Sequence, residues 1–141
     1  MSQSNTKSGD LVFAAGEDLT NKEGHLVKLT HDSGTPEVKL PEAITDRALY
    51  AVVSGGADTE NVQLRPLSGE RNVRVVLLGT CNPGDALVLA DPATAADAGK
   101  LRVLPTAAGT YHVLAIAEEA GADGQLLAIR PYAPGEVEVS A

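Results

Sequence analysis

From Asp10 onward, apolar and polar residues alternate in short runs, each closed by Gly, Pro, Asn or Asp. A period of two puts alternate side chains on opposite faces of an extended chain, so the pattern predicts strands and turns rather than helices. The clearest alternations are His25–Thr30, Glu37–Leu40 and Asn61–Arg65, where Val27 with Leu29, Val38 with Leu40, and Val62 with Leu64 are expected to point inward. Val73–Leu78 starts as an alternating strand and ends apolar on both faces, and Ala86–Ala90 is apolar throughout. Such runs are expected in central strands, or in strands covered by another subunit. Further strands are predicted at Leu11–Ala15, Leu49–Ser54, Leu101–Leu104, Tyr111–Ala117, Leu126–Arg130 and Val137–Val139.

Between these runs, Asp32-Ser33-Gly34, Ser54-Gly55-Gly56, Asn82-Pro83-Gly84-Asp85, Ala108-Gly109 and Ala122-Asp123-Gly124 supply the positive or fixed φ that tight turns need. Two short helical turns are expected, at Pro41–Arg47 and at Asp91–Gly99, the second with an Asp cap, an early Pro and a closing Gly. Residues 1–9 have no periodicity and are rich in Ser, Asn, Gln and Gly, a composition expected of a flexible arm. The reading is therefore an all-β chain: a flexible N-terminal arm over 1–9, then a single small barrel or sandwich-like domain over 10–141 with one or two short helical turns.

Composition narrows the function. Aromatic residues make up only 3 % of the chain, with no Trp and one Phe, so the core must be built from Val, Leu, Ile and Ala, and stacking platforms for sugars or bases are scarce. A formal charge of −8 repels phosphate backbones, which argues against direct nucleic-acid binding. The single cysteine, Cys81, excludes an intrachain disulfide and a cysteine-rich zinc site, and is expected to be a buried, inert thiol. No apolar h-region or membrane-length run is present, so synthesis in a cytoplasm without a visible export signal, and no membrane partner, are expected.

Catalytic constellations are missing at the level of motif. No G-x-S-x-G elbow occurs, and a Cys–His pair at Cys81 would need one of three histidines brought to it by the fold. His25, His31 and His112 form no H-x-H, H-x-x-x-H or H-E-x-x-H pair and are expected at the surface or on strand edges. Glu17-Asp18, Glu118-Glu119 and Asp91 with Asp97 lack the acidic ladder of a calcium loop and read as solvated charges. Glycoside hydrolysis usually sits in an aromatic-lined cleft that this composition does not supply. Gly84-Asp85-Ala86-Leu87 is similar to a turn of biotinyl and lipoyl carrier barrels, but those carry a lysine at a hairpin tip, whereas Lys100 follows a helix end and Gly99. The expectation is a protein that is not an enzyme, with no cofactor, metal or catalytic residue.

The order of three phrases resembles the capsid decoration, or cement, proteins of tailed bacteriophages. The first is Gly9-Asp10-Leu11-Val12-Phe13-Ala14-Ala15-Gly16 leading into Gly24-His25-Leu26-Val27-Lys28-Leu29. The second is Val75-Val76-Leu77-Leu78-Gly79-Thr80 followed by Asn82-Pro83-Gly84-Asp85-Ala86-Leu87, and the third runs from Gly109 to Ala120 and closes with Gly124–Pro131. The resemblance implies a β-rich homotrimer on the outer surface of a virion capsid, made in the host cytoplasm, with the major capsid protein as its partner and lattice stabilisation as its function. It also implies that the arm orders against the shell, with Lys7, Ser8, Gly9, Asp10, Leu11, Val12 and Phe13 as the capsid-binding residues. Strand addition to a sheet edge of the partner is a physical route to that contact. The alternative is a carbohydrate- or ligand-binding β module of a virion or cell surface, such as a fibre base.

Overall fold

The computed structural model describes residues 9–140. The chain is all-β, and its one helical element among the described residues is a 3-10 turn at Ala95–Asp97. The first five strands are β1 (Leu11–Ala15), β2 (Leu26–Asp32), β3 (Thr35–Lys39), β4 (Tyr50–Ser54) and β5 (Asn61–Pro66), closed into a barrel in the order β1-β3-β2-β4-β5. The next five are β6 (Val73–Val76), β7 (Ala86–Leu89), β8 (Leu101–Val103), β9 (Gly109–Ala117) and β10 (Leu126–Val139), in the order β6-β10-β9-β7-β8. The ends of this second sheet meet at a parallel bridge between Leu77 and Leu101, where the Leu78 N–H donates to the Leu101 carbonyl at 2.8 Å. With that bridge, β6-β8-β7-β9-β10 repeats the circular order of the first barrel.

The repetition reaches down to single hydrogen bonds. Four four-residue turns, Lys22–His25, Ala57–Glu60, Asn82–Asp85 and Ala122–Gln125, are each closed by the last N–H donating to the first carbonyl, at 3.0–3.1 Å. The third residue of each is left-handed, as a type II turn requires: Gly24 (φ 79°), Thr59 (φ 72°), Gly84 (φ 90°) and Gly124 (φ 80°). In the second sheet, the N–H of Gly84 donates to Ala117 and that of Gly124 to Leu77, while Ala117 donates to Asp85 and Leu77 to Gln125. The first barrel has the same four bonds: Thr59 to Ala15, Gly24 to Val52, Ala15 to Glu60 and Val52 to His25. Each unit is thus two interlocked strand–turn–strand pieces about a local pseudo-twofold axis.

Burial follows the alternation. Ala15, Val27, Val38, Val52, Val62 and Leu64 fill the first barrel, and Val75, Leu77, Leu87, Leu89, Ala115, Ala117, Leu127 and Ile129 fill the second unit. Leu26, Ala48 and Ala51 of the first barrel belong to the second unit's core cluster. Because Val27 and Val52 face the barrel interior, their neighbours Leu26 and Ala51 stand on its outer wall, and that wall is packed into the second unit. The contact is completed by Leu26 N–H donating to the Gly99 carbonyl at 2.8 Å and Val76 N–H to the Gly24 carbonyl at 2.9 Å.

Several expectations need correction. Leu29 is 45 % exposed rather than inward, because β2 pairs with β4 only at Leu26 and Val27 and then projects as a hairpin with β3. The run Pro41–Arg47 forms bends and a turn, not a helical turn, as the Asp46 carboxylate accepts the N–H groups of Glu42 and Ala43 and draws the chain round. The 3-10 turn begins at Thr94 with no side-chain cap, since Asp91 spends its carboxylate on the Ala93 N–H. The two strands expected after Leu126 are one, carrying an irregularity between Pro131 and Gly135. Ala86–Ala90 needs no second subunit for its burial: Leu87 and Leu89 face the core, and Val88 packs in a separate cluster with Tyr111 and Val113.

Candidate binding surface at the open end of the first barrel

Lys7 and Ser8 lie outside the described residues; from Gly9 on, the chain enters the first barrel. Gly9 is exposed. The Asp10 carboxylate is clamped by Arg65 Nε and Nη2 at 3.0 and 3.2 Å, Gln63 Nε2 at 3.0 Å and Arg71 Nη2 at 3.2 Å. The Arg65 bond, with help from Gln63 and Arg71, holds the Asp10 carboxyl below its ordinary value. Leu11, Val12 and Phe13 are then committed to β1 by pairing with Leu64, Gln63 and Val62. The backbone of this segment is therefore engaged in the protein's own barrel, and what it offers outward is the Val12 side chain, 49 % exposed.

The start of β1 shares its end of the barrel with the β2–β3 hairpin tip, since β1 and β3 run parallel with Ala14 opposite Glu37. Phe13 and Tyr50 meet edge to face there, ring centroids 6.2 Å apart, and are only partly buried against the barrel core. Leu29, His31 and Pro36 line a shallow apolar concavity on the hairpin, whose tip is fixed by Ser33 and Gly34 at positive φ and by Gly34 N–H donating to His31 Nδ1 at 2.8 Å. This end of the molecule thus combines a half-open core, the projecting apolar hairpin and the point where residues 1–8 join.

The remaining sequence candidates are structural. Cys81 is buried, its Sγ 3.6 Å from the Glu119 carbonyl, and burial, aided by Asp85 and Glu119, raises its pKa, the reverse of what a nucleophile needs. His25 is buried rather than superficial; its Nδ1 lies 3.2 Å from the Lys22 carbonyl, and burial, with Lys22 and Lys100 nearby, lowers its pKa. His31 sits at the hairpin tip and His112 on β9, its Nε2 3.6 Å from Glu136. The acidic pairs are not merely solvated: Glu17 accepts the Leu40 N–H, Asp18 the Thr20 N–H and hydroxyl, Glu118 pairs with Arg130, Glu119 with Arg74, and Asp97 with Lys100. That last pair also fixes Lys100 away from any hairpin tip. A groove of about 430 Å³ between the two units is lined by Glu23, Arg65, Arg74 and Leu126, but its charges are spent on Gly55 N–H, Asp10 and Glu119. Among the described residues no group of three His, Cys, Asp or Glu is placed to hold a metal.

Sequence reasoning missed Leu29 as a surface residue, and it missed the duplication, whose trace in the sequence is a left-handed glycine two residues before β2, β7 and β10. No family model and no curated protein matches the chain. Among solved structures, the head fiber gp8.5 N base of bacteriophage phi29 is similar, with a TM-score of 0.61 at 15 % identity over 87 % of this chain and 92 % of that one. At that identity the likeness is one of fold, and it spans both five-stranded units.

Proposed function

We propose that this protein is a structural component of a bacteriophage head, carried on the outer surface of the mature shell as a homotrimer that binds the major capsid protein and stabilises its lattice. The observation that carries the reading is the fold shared with a head fiber base over nearly the whole of both chains. A fold by itself hosts many functions; here it coincides with strand-and-turn phrases that resemble capsid decoration proteins. The role requires no catalysis: many copies on a closed shell turn weak contacts into avidity, and a protein that binds only the mature lattice stabilises it by linkage. The open end of the first barrel, with the chain entering at Gly9–Asp10, is the surface assigned to the shell or to neighbouring copies.

The test is to mix the purified protein with expanded heads that lack it, then measure co-sedimentation and the temperature at which the heads disrupt. Saturable binding with a raised disruption temperature supports the reading. Binding without stabilisation assigns a fibre-base role instead of cement, and no binding overturns the head association.

A further inference from the structure

Because the two units repeat one architecture, positions can be compared between them by their distance from the shared turns. Leu29 lies five residues after the left-handed Gly24, and Leu89 five after Gly84. Phe13 stands two residues before Ala15, and Val75 two before Leu77; Tyr50 stands two before Val52, and Ala115 two before Ala117. In the second unit, Leu89, Val75 and Ala115 are all at most 1 % exposed. At the equivalent positions of the first barrel, Leu29 is 45 % exposed and Phe13 and Tyr50 are only partly buried. Beside the projection of the β2–β3 hairpin, the two units differ in cover: the second unit's core is completed by the outer wall of the first barrel, through Leu26, Ala48 and Ala51, and among the described residues no such wall covers the first barrel.

The same comparison identifies what would cover it. Leu26 and Ala51 are cross-strand partners on β2 and β4, and their equivalents on β7 and β9 are the cross-strand partners Ala86 and Ile116. The wall at Leu26 and Ala51 is buried; at the equivalent place Ala86 is partly buried against Val88, Tyr111 and Val113, and Ile116 is left open, 38 % exposed. Each chain therefore carries one occupied wall-to-core contact inside itself, one uncovered core end and one wall that is open at Ile116. We infer that a second copy of this chain seats its Ala86–Ile116 wall on the Phe13–Leu29–Tyr50 end of the first barrel, continuing between chains the contact already made within one. Such a contact is heterologous, with different surfaces meeting, so it builds a ring if the rotation closes and a filament if it does not. Burying Leu29 and Ile116 supplies the apolar gain.

This assigns residues to the self-association in the proposed function and fails separately from it. Leu29→Asp and Ile116→Asp change exposed side chains, so both variants keep the wild-type circular dichroism, while their melting temperature loses the concentration dependence that self-association gives the wild type. Sedimentation velocity on the full chain is expected to show an oligomer for wild type and a monomer for each variant. An equimolar mixture is the decisive arm. Leu29→Asp retains the wall and Ile116→Asp retains the core end, so the mixture forms a heterodimer and nothing larger. Variants that remain oligomeric, or a mixture that stays monomeric, overturn the assigned surfaces while leaving self-association standing. A monomeric wild type overturns both, and the head-binding experiment remains independent of either result.

Discussion

Thr59 is the one residue among the four repeated turns that is poorly suited to its position, and replacing it with glycine is expected to stabilise the protein. Its φ of 72° is occupied by glycine in the other three turns, at Gly24, Gly84 and Gly124. A β-branched residue held left-handed costs roughly 1–2 kcal/mol from the clash of Cβ with the carbonyl, while glycine gives back about 0.5–1 kcal/mol through the larger freedom of its unfolded chain. Thr59 is exposed, and the bond from its N–H to the Ala15 carbonyl at 2.9 Å is kept by glycine. The net gain for Thr59→Gly is therefore about 0.5–1 kcal/mol, a rise in melting temperature of about 2–4 °C for a chain of this size.

The reverse substitutions calibrate it. A Cβ at Gly84 or Gly124 meets nothing within 4 Å, so alanine there costs only the backbone term, about 1 kcal/mol. At Gly24 the added Cβ collides with Leu126 Cδ2, so alanine costs the same term plus the repacking of Leu126. Differential scanning calorimetry or urea titration of the four variants orders them Thr59→Gly above wild type, then Gly84→Ala and Gly124→Ala, then Gly24→Ala. A Thr59→Gly protein no more stable than wild type, alongside destabilised Gly84→Ala and Gly124→Ala, refutes the equivalence of the four turns.

Three further outcomes are expected. The unfolded chain protonates His25 at its ordinary 6.5 while the folded chain resists doing so, so stability falls as pH drops through that value; His25→Gln should flatten urea midpoints measured from pH 8 down to the carboxylate range. Asp10 has the opposite sign, its folded pKa lying below the ordinary 3.8, so its contribution is present above that value and lost as pH falls through the folded pKa; the stability gap between wild type and Asp10→Asn should close in strong acid. The Cys81 thiol, buried and raised in pKa, should react with a disulfide reagent only as fast as the protein opens, and rapidly in denaturant.

How far the sequence could be read depends on what each feature answers to. Strand positions were legible because burial on one face imposes a period of two, and β1 falls on Leu11–Ala15 as the alternation requires. The turns at Gly34, Gly84 and Gly124 were legible because a positive φ selects glycine. Near Gly55-Gly56 the same logic misplaced the left-handed residue: it is Thr59, and Gly55 is required for another reason, since a Cβ there would collide with the Leu19 carbonyl oxygen. Close approach between distant segments leaves no local signature. Neither does the end of a strand's pairing, which is why Leu29 alternates like an inward residue and yet stands on the surface.

Duplication turns that last ambiguity into information. A single exposed leucine is ordinary on a protein surface and calls for no explanation. Leu29 differs because the same chain contains a second solution of the same structural problem, in which the equivalent Leu89 is sealed by a neighbouring wall. The comparison holds strand order and the four repeated turns in common, and two differences accompany the contrast in exposure: β2 leaves β4 after Val27 to project as a hairpin, and no wall is docked on it. By the same reasoning Ile116 is set apart from the other exposed apolar side chains, Val12 and Leu126: its equivalent, Ala51, is buried by a contact between units. The residues that distinguish the two units, rather than those they share, therefore mark where this chain meets its surroundings. They lie at the open end of the first barrel and on the outer wall of the second unit.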